Sequence, residues 1–329
     1  MDDAPLWVFG DQLGPHVHLT DEHRHREVVL VESGRVFRRR RFHRQKLHLV
    51  LSGMRHLAAE LGDRARYLRT ETYREALEQV GHPVLVHEPT SHSAADLVAR
   101  LRHEGLVAEV LPTPTFALSR AEFDEWAGDR ESFRMEEFYR AQRRRFDVLL
   151  DSGEPVGGTW NYDHDNREPP PAGRDRLDVP GPWQPTEDEI DDRVRADLDA
   201  MDLPTVGRDG PRWFAVTAEE AQQALAHFVE RRLAQFGPTE DAMLTQDWAM
   251  AHSLLSVPLN LGVLHPLDAV RTAEAAYRSG AAPLAGAEGF IRQVLGWREY
   301  MWQLYWRFGK GYLRRNALRA DARCLRTAL

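Results

Sequence analysis

Two stretches near the end of this chain hold residue types that could grip a polar, aromatic ligand. The first, from Gln246 to Val270, reads QDWAMAHSLLSVPLNLGVLHPLDAV. It sets a small hydroxyl-bearing turn, His252-Ser253-Leu254-Leu255-Ser256, just before an apolar run that Pro258 interrupts. The second, GFIRQVLGWREYMWQLYWRF from Gly289 to Phe308, is apolar almost all round at helical spacing. Phe290, Val294, Trp297, Met301 and Leu304 follow one stripe, and Ile291, Leu295, Trp302 and Trp306 the opposite side, so the spacing predicts a buried helix. That helix also carries Arg292, Gln293, Arg298 and Glu299, which burial penalises unless each finds a partner. Two readings follow: the wall of a ligand pocket, or a core helix whose charges pair with neighbouring elements.

The elements that must position these residues come in two kinds. Leu6–Phe9, Glu27–Glu32, Arg66–Arg69, Pro83–His87 and Leu106–Leu111 read as short buried strands. Helical patterns over Arg44–Leu61 (stopped by Gly62), Thr72–Val80 and Ser93–Glu104 (capped by Ser93) separate the later ones. This alternation predicts a doubly wound, mostly parallel sheet, whose ligands sit off the carboxyl ends of the strands. Gly10-Asp11-Gln12, Glu32 and Glu88 fall at that edge; by themselves Gly10-Asp11-Gln12 read as a turn with a helix cap. No GxGxxG or GxxxxGK[ST] is present, which leaves a dinucleotide or P-loop site unsupported.

Further on, Ser119-Arg120-Ala121-Glu122 is a capping box, and Phe133–Leu150 reads as a helix with Arg140, Arg143, Arg144 and Arg145 largely outward. Gly153 to Pro185 is rich in Gly and Pro and reads as an interdomain connection, yet it carries Trp160, Asn161, Tyr162, Asn166 and Arg167, types suited to stacking and backbone contact with nucleic acid. From Thr186 the pattern is wholly helical, with capping boxes at Thr186–Glu189 and Thr217–Glu220. A buried stripe of Ala221, Leu225, Phe228, Val229, Leu233 and Phe236 then runs to Gly237. The expected division is 1–130 α/β, 131–185 a helix plus connection, and 186–329 helical.

The 329 residues, 42% hydrophobic and 29% charged, suffice for two globular units. A formal net charge of −8 leaves nucleic-acid contact to local basic patches, such as Arg38-Arg39-Arg40-Arg41 with His43 and Arg44. No apolar run is long enough for a membrane and no signal peptide is visible. The single cysteine, Cys324, excludes a disulfide framework, which points to the cytoplasm. No metal site is expected. His16, His18, His23 and His25 lack a carboxylate or Cys at ligand spacing and read as solvated loop residues, and three consecutive residues, Asp163-His164-Asp165, do not easily converge on one ion.

HSLLS resembles the hydroxyl-rich turn with which photolyases and cryptochromes hold flavin phosphates, and GFIRQVLGWREYMWQLYW resembles their Trp-Arg-Glu-aromatic helix. Gly296 before Trp297, and Gln293 in place of an acidic residue, are most similar to the bacterial iron–sulfur branch, that of the (6-4) photolyases and photolyase-related proteins. The resemblance implies a Rossmann-like domain followed by a helical FAD-binding domain. FAD would be held by His252, Ser253, Leu254, Leu255, Ser256 and Arg298, with Gln293 and Trp297 on the lesion side. It also implies an antenna chromophore, of lumazine type, near Gly10, Asp11, Gln12, Glu32, His43 and Lys46, and damaged DNA contacted by Trp160, Asn161, Tyr162 and Arg167. The activity implied is blue-light-driven repair of pyrimidine (6-4) photoproducts by a monomeric lyase. A cryptochrome-like photoreceptor and an inactive remnant that keeps only chromophore binding are the alternatives.

The likeness runs from Leu6 to about Asn316. Family members continue, and in this branch the continuation carries most ligands of an iron–sulfur cluster; one thiolate, that of Cys324, cannot hold one. The chain therefore reads as truncated, with core faces such as those of Trp302 and Trp306 expected to be exposed.

Overall fold

The computed structural model describes residues 4–169 and 172–314; Cys324 lies outside them. Five strands, β1 (Leu6–Val8), β2 (Val28–Ser33), β3 (Ala65–Thr70), β4 (Val84–His87) and β5 (Val107–Leu111), form an all-parallel sheet in the order β3-β2-β1-β4-β5. The chain reverses direction across the sheet between β1 and β4, which opens a crevice at the carboxyl edge there.

Strand residues alternate between two buried faces. Leu6, Val8, Val28, Leu30 and Leu85 join Leu47, Leu51, Met54 and Leu57 of the Arg44–Leu61 helix, while Trp7, Phe9, Val29, Val31, Val84 and Val86 pack with Ala76, Leu77, Val98 and Leu101 of the Tyr73–Val80 and His92–His103 helices. The first of these cores continues without a break into the helical part, through Leu225, Phe228, Phe236, Leu259, Val270, Phe290 and Leu295. The expected class, a doubly wound α/β layer followed by helices, is the architecture found.

Several local expectations are corrected. The His92–His103 helix is capped by Ser91, whose hydroxyl accepts from Ala94 N, rather than by Ser93. The capping box expected at Thr186 belongs instead to Asp188 and Asp191, which open the Glu189–Ala200 helix. Thr217 caps the Ala218–Arg231 helix, but its Glu220 turns to Arg212 and to Val216 N. The helix expected to span Phe133–Leu150 is Met135–Phe146, and Arg143 on it points inward. Its guanidinium donates to Val148 O, Leu149 O and Trp160 O, carbonyls that only a turned-in donor reaches. The interdomain connection holds two 3-10 turns, Val156–Gly158 and Asp163–Asn166.

His18 and His23 are buried under the carboxyl edge rather than solvated, and His16 is half-buried; only His25 of the four is exposed. The His23 ring lies 5.6 Å from that of His87, and the His16 ring 5.0 Å from that of His265.

The long helix near the end is not continuous. It is Leu284–Ile291, a π-helical segment Arg292–Arg298, and Glu299–Phe308. Hydrogen bonds from i to i+5 widen the turn and advance the buried face. Trp297 and Met301, expected in the buried stripe, are therefore 41% and 50% exposed, while Glu299 and Gln303 point inward. Trp302, expected to be exposed, is buried and stacks on Phe116 at 3.9 Å, and Trp306 is half-buried beneath the guanidinium of Arg120.

Candidate functional site

Two cavities flank Arg298, and between them they take in nine of the fourteen residues assigned from the sequence to cofactors or the lesion. One, of about 510 Å³, is lined by Phe236, Glu240, Asp241, His252, Ser253, Ser256, Leu259, Asn260, Phe290, Gln293, Val294 and Arg298. It lies within the size range of ligand pockets. The turn that carries Ser253 and Ser256 is shaped by unusual backbone: Met250 and Leu254 have φ of 47° and 57°, a region that side chains avoid unless their surroundings hold them there. What holds them is Arg232. This fully buried guanidinium donates to Met250 O at 2.6 Å, to His252 O at 3.2 Å, to Ala249 O at 3.3 Å and to Pro180 O. Ser253 Oγ accepts from Leu255 N at 3.3 Å, and the Ser256–Leu261 helix begins immediately after. Burial, with the charge of Arg232 adding to it, holds His252 below the usual imidazole range, which favours the neutral ring.

The π-helical segment forms the facing wall. Arg292 is clamped by Asp163 (3.1 Å), Glu288 (3.4 Å) and Glu240 (3.7 Å), and the Gln293 amide donates to Glu240 Oε1. Arg298 pairs with Glu299 at 2.8 Å, donates to Thr115 O and Leu259 O at 3.2 Å each, and lies 4.1 Å over the Phe116 ring. Glu299, wholly buried, also accepts from Ala117 N and Leu118 N; burial still pushes its carboxyl up to about 7. Each charge on this helix has its partner, as burial required. Arg298 Nε and Glu240 Oε2 nevertheless lack a hydrogen-bond partner. Both atoms are shielded from solvent, and Glu240 Oε2 faces Arg292 Nη2 at 3.7 Å.

The second cavity, of about 890 Å³, opens at the crevice between β1 and β4. Gly10, Asp11, His43, Lys46, Thr90, Thr115, Phe116, Trp213, Arg298 and Trp302 are among its lining residues. The Thr90 hydroxyl donates to Asp11, whose carboxyl burial raises above its usual range. Gln12 and Glu32 are not in the lining. Gln12 is buried and ties Phe9 N to Glu88 O, and Glu32 is taken up by Arg55 at 2.8 Å and by the Tyr67 hydroxyl. The two cavities share Leu259, Asn260 and Arg298. Leu13 N donates to Leu261 O at 2.9 Å, which locks the turn after β1 to the helix after the serines.

Of the remaining candidates, Leu254 and Leu255 shape the turn without lining the 510 Å³ cavity, and Trp297 stands out from its helix into solvent. In the connection, Trp160 lies against three guanidiniums, those of Arg144 (4.5 Å), Arg143 (5.2 Å) and Arg140 (5.8 Å). Asn161 donates to Glu136, Tyr162 N to Glu288, and Arg167 to Asp163. Sequence reasoning missed Arg232, Glu240 and Asn260. Arg232 carried one signal, a charge inside the stripe that runs from Phe228 to Phe236.

The arrangement of sheet and helices is that of a photolyase or cryptochrome. A cryptochrome from Synechocystis sp. PCC6803 superposes with a TM-score of 0.55 at 13% identity, over 93% of this chain and 62% of that one. A bacterial class III photolyase from Agrobacterium tumefaciens does so with 0.52 at 15%, over 94% and 60%. A model of the deoxyribodipyrimidine photo-lyase-related proteins matches residues 6–214, and the chain belongs to that family. It is 36% identical over 333 residues to a (6-4) photolyase of Agrobacterium fabrum (strain C58 / ATCC 33970), an alignment covering 95% of this chain and 65% of that protein.

Proposed function

We propose that this chain is the chromophore-bearing portion of a flavin-dependent photolyase that acts on pyrimidine (6-4) photoproducts in DNA. The observation that carries the reading is the convergence of His252, Ser253, Ser256, Gln293 and Arg298, from two separate segments, on one cavity. The residues fit an FAD. Two hydroxyls and an imidazole suit its phosphates and ribityl chain, and the Arg298 guanidinium sets a positive charge in the wall. When bound and reduced, the flavin would supply a photoexcited one-electron donor.

The chain's own residues bind and orient. Arg232 fixes the carbonyls of the turn, so the serines are presented without reorganisation. Glu240 holds the Gln293 amide and itself faces Arg292 at 3.7 Å, which leaves the amide oxygen of Gln293 for the edge of an extruded base. The solvent-facing Trp297 ring gives such a base a stacking surface, and Trp160 with the exposed Arg140 and Arg144 gives the phosphate backbone a basic, aromatic patch. The 890 Å³ cavity, walled by Phe116, Trp213 and Trp302, suits a flat antenna chromophore of lumazine type. Residues 1–329 contain one cysteine, and a single thiolate does not fit an iron–sulfur cluster.

The test is an absorbance spectrum of the purified chain with and without added FAD, followed by blue-light repair of a lesion-bearing oligonucleotide. Flavin bands in stoichiometric amount and loss of the photoproduct are expected. A chain that takes up no flavin overturns the reading. Ser256 is exposed, so Ser256→Asp should leave the melting temperature unchanged while its carboxylate weakens flavin binding at least about tenfold, ~1.4 kcal/mol.

A further inference from the structure

Away from both cavities, three side chains with metal-ligand chemistry meet where the Arg44–Leu61 helix crosses the start of the Glu189–Ala200 helix. His56 Nε2 lies 3.3 Å from Asp188 Oδ2, and His56, Asp188 and Asp191 each offer one ligand atom within 4.8 Å of the others. The His56 tautomer is set by its other nitrogen. Nδ1 is 2.7 Å from Ser52 O, a carbonyl that can only accept, so Nδ1 donates there and Nε2 is the ring atom turned to Asp188 Oδ2. A lone pair facing a carboxylate oxygen at that distance is repulsive unless a proton or a cation lies between them.

Asp191 supplies a second, independent sign. It is wholly buried, and its Oδ2 is satisfied by Arg212 Nη2 at 3.1 Å, Arg212 Nε at 3.3 Å and Asp188 N at 3.2 Å. Its Oδ1 accepts no hydrogen bond. His48 Nε2 is 3.9 Å from it and is already 3.1 Å from Asp191 O. A buried carboxylate oxygen with no donor is costly, and a cation is its usual complement.

We propose that His56, Asp188 and Asp191 form a zinc-type divalent metal site that pins the α/β layer to the first helix of the helical part. One imidazole nitrogen and two carboxylate oxygens, with water in the fourth position, is a donor set suited to zinc or cobalt. Ligands at about 2.0–2.1 Å from a tetrahedral ion stand roughly 3.3 Å apart, the separation of His56 Nε2 from Asp188 Oδ2. The outer contacts orient the donors: Ser52 O fixes the imidazole, and Ile190 N with Asp191 N holds the other oxygen of Asp188. Arg212 offsets one negative charge but is itself shared with Glu220, so the site keeps a net pull on a cation. The Asp188 side chain is 53% exposed and provides the way in.

The chain stripped with a chelator and titrated with zinc in a calorimeter should bind one equivalent, and its melting temperature should rise in zinc and fall back on chelation. Cobalt should give the visible absorbance of a low-coordinate site. His56→Gln and Asp188→Asn should each weaken binding by more than about tenfold, since even outer contacts are worth that much; Asp188→Asn retains a helix-capping side chain if His56→Gln folds poorly. His25→Gln, at an exposed histidine elsewhere, should bind as the parent does. No saturable zinc or cobalt binding, parent-like binding by both site variants, or equal loss in His25→Gln would each overturn the proposal.

Discussion

At the scale of single residues, the buried histidines set how this protein responds to acid. Burial pushes His18 down to about 4 and His16 to about 3, with nearby cationic and imidazole groups adding to it; His23, His87 and His265 are also lowered, burial being the main cause. A folded-state value below that of the unfolded chain means that stability is fully present above about 6.5 and is lost as the pH falls towards the folded value. For His18 that window is about 6.5 to 4 and is worth about 3 kcal/mol at ~1.4 kcal/mol per pH decade. Glu299 works in the opposite direction. Its carboxyl is raised to about 7, so its contribution weakens as the pH rises towards neutrality. Asp11, Glu240 and Glu288 are raised too, but these four carboxyls stand against seven lowered imidazoles, His48 and His252 included, and denaturant midpoints should drop on going from pH 7 to pH 5. His18→Leu should flatten that drop measurably; an unchanged pH slope in the variant would remove His18 from the account.

At the scale of elements, the connection is anchored where two helices come close enough to require glycine. A Cβ on Gly237 would sit 2.7 Å from Gly286 Cα and 2.7 Å from Asn166 Oδ1, although the Gly237 φ of −53° is open to any residue. The glycine is there for proximity. Asn166 is buried and donates to Ala285 O at 3.0 Å, so one methyl group would disturb both the helix contact and the anchor. Gly237→Ala should cost about 1–3 kcal/mol in urea denaturation, the usual penalty for overpacking, whereas Gly181→Ala, with nothing within 4 Å, should be close to neutral. Elements that end on local chemistry could be read in the sequence: Gly62 closing a helix, Thr72 and Ser119 opening others, the apolar runs of the strands. The π-helical segment could not, because apolar spacing does not reveal a change of turn width, and that change is what turns Trp297 outward. The same limit governs the site. The serines, Gln293 and Arg298 announced themselves by type, but the carbonyls that Arg232 and Arg143 reach are set by packing between distant segments.

At the scale of the whole molecule, sheet and helices share one core among the described residues. One core passes from β1 and β2 into the helical part, and polar ties run beside it. Arg55 is the central tie. From the Arg44–Leu61 helix its Nε reaches Glu32 at 2.8 Å and its Nη2 reaches Asp197 of the Glu189–Ala200 helix at 2.7 Å. Glu32 is buried at the end of β2, so it needs a cation more than it attracts one. Removing one partner of a buried pair strands the other charge, at a cost of about 3–5 kcal/mol, whereas neutralising both can be nearly free. Arg69, 3.6 Å from Glu32, and the Tyr67 hydroxyl soften the loss towards the lower figure. Arg55→Ala should therefore lower the thermal midpoint by several degrees. Glu32→Gln added to it should restore more than half of the loss, because the uncharged amide no longer requires a cation. A double variant no more stable than Arg55→Ala would mean that Arg55 acts through Asp197 and its packed methylenes, and that the joint between sheet and helices is held by the apolar core alone.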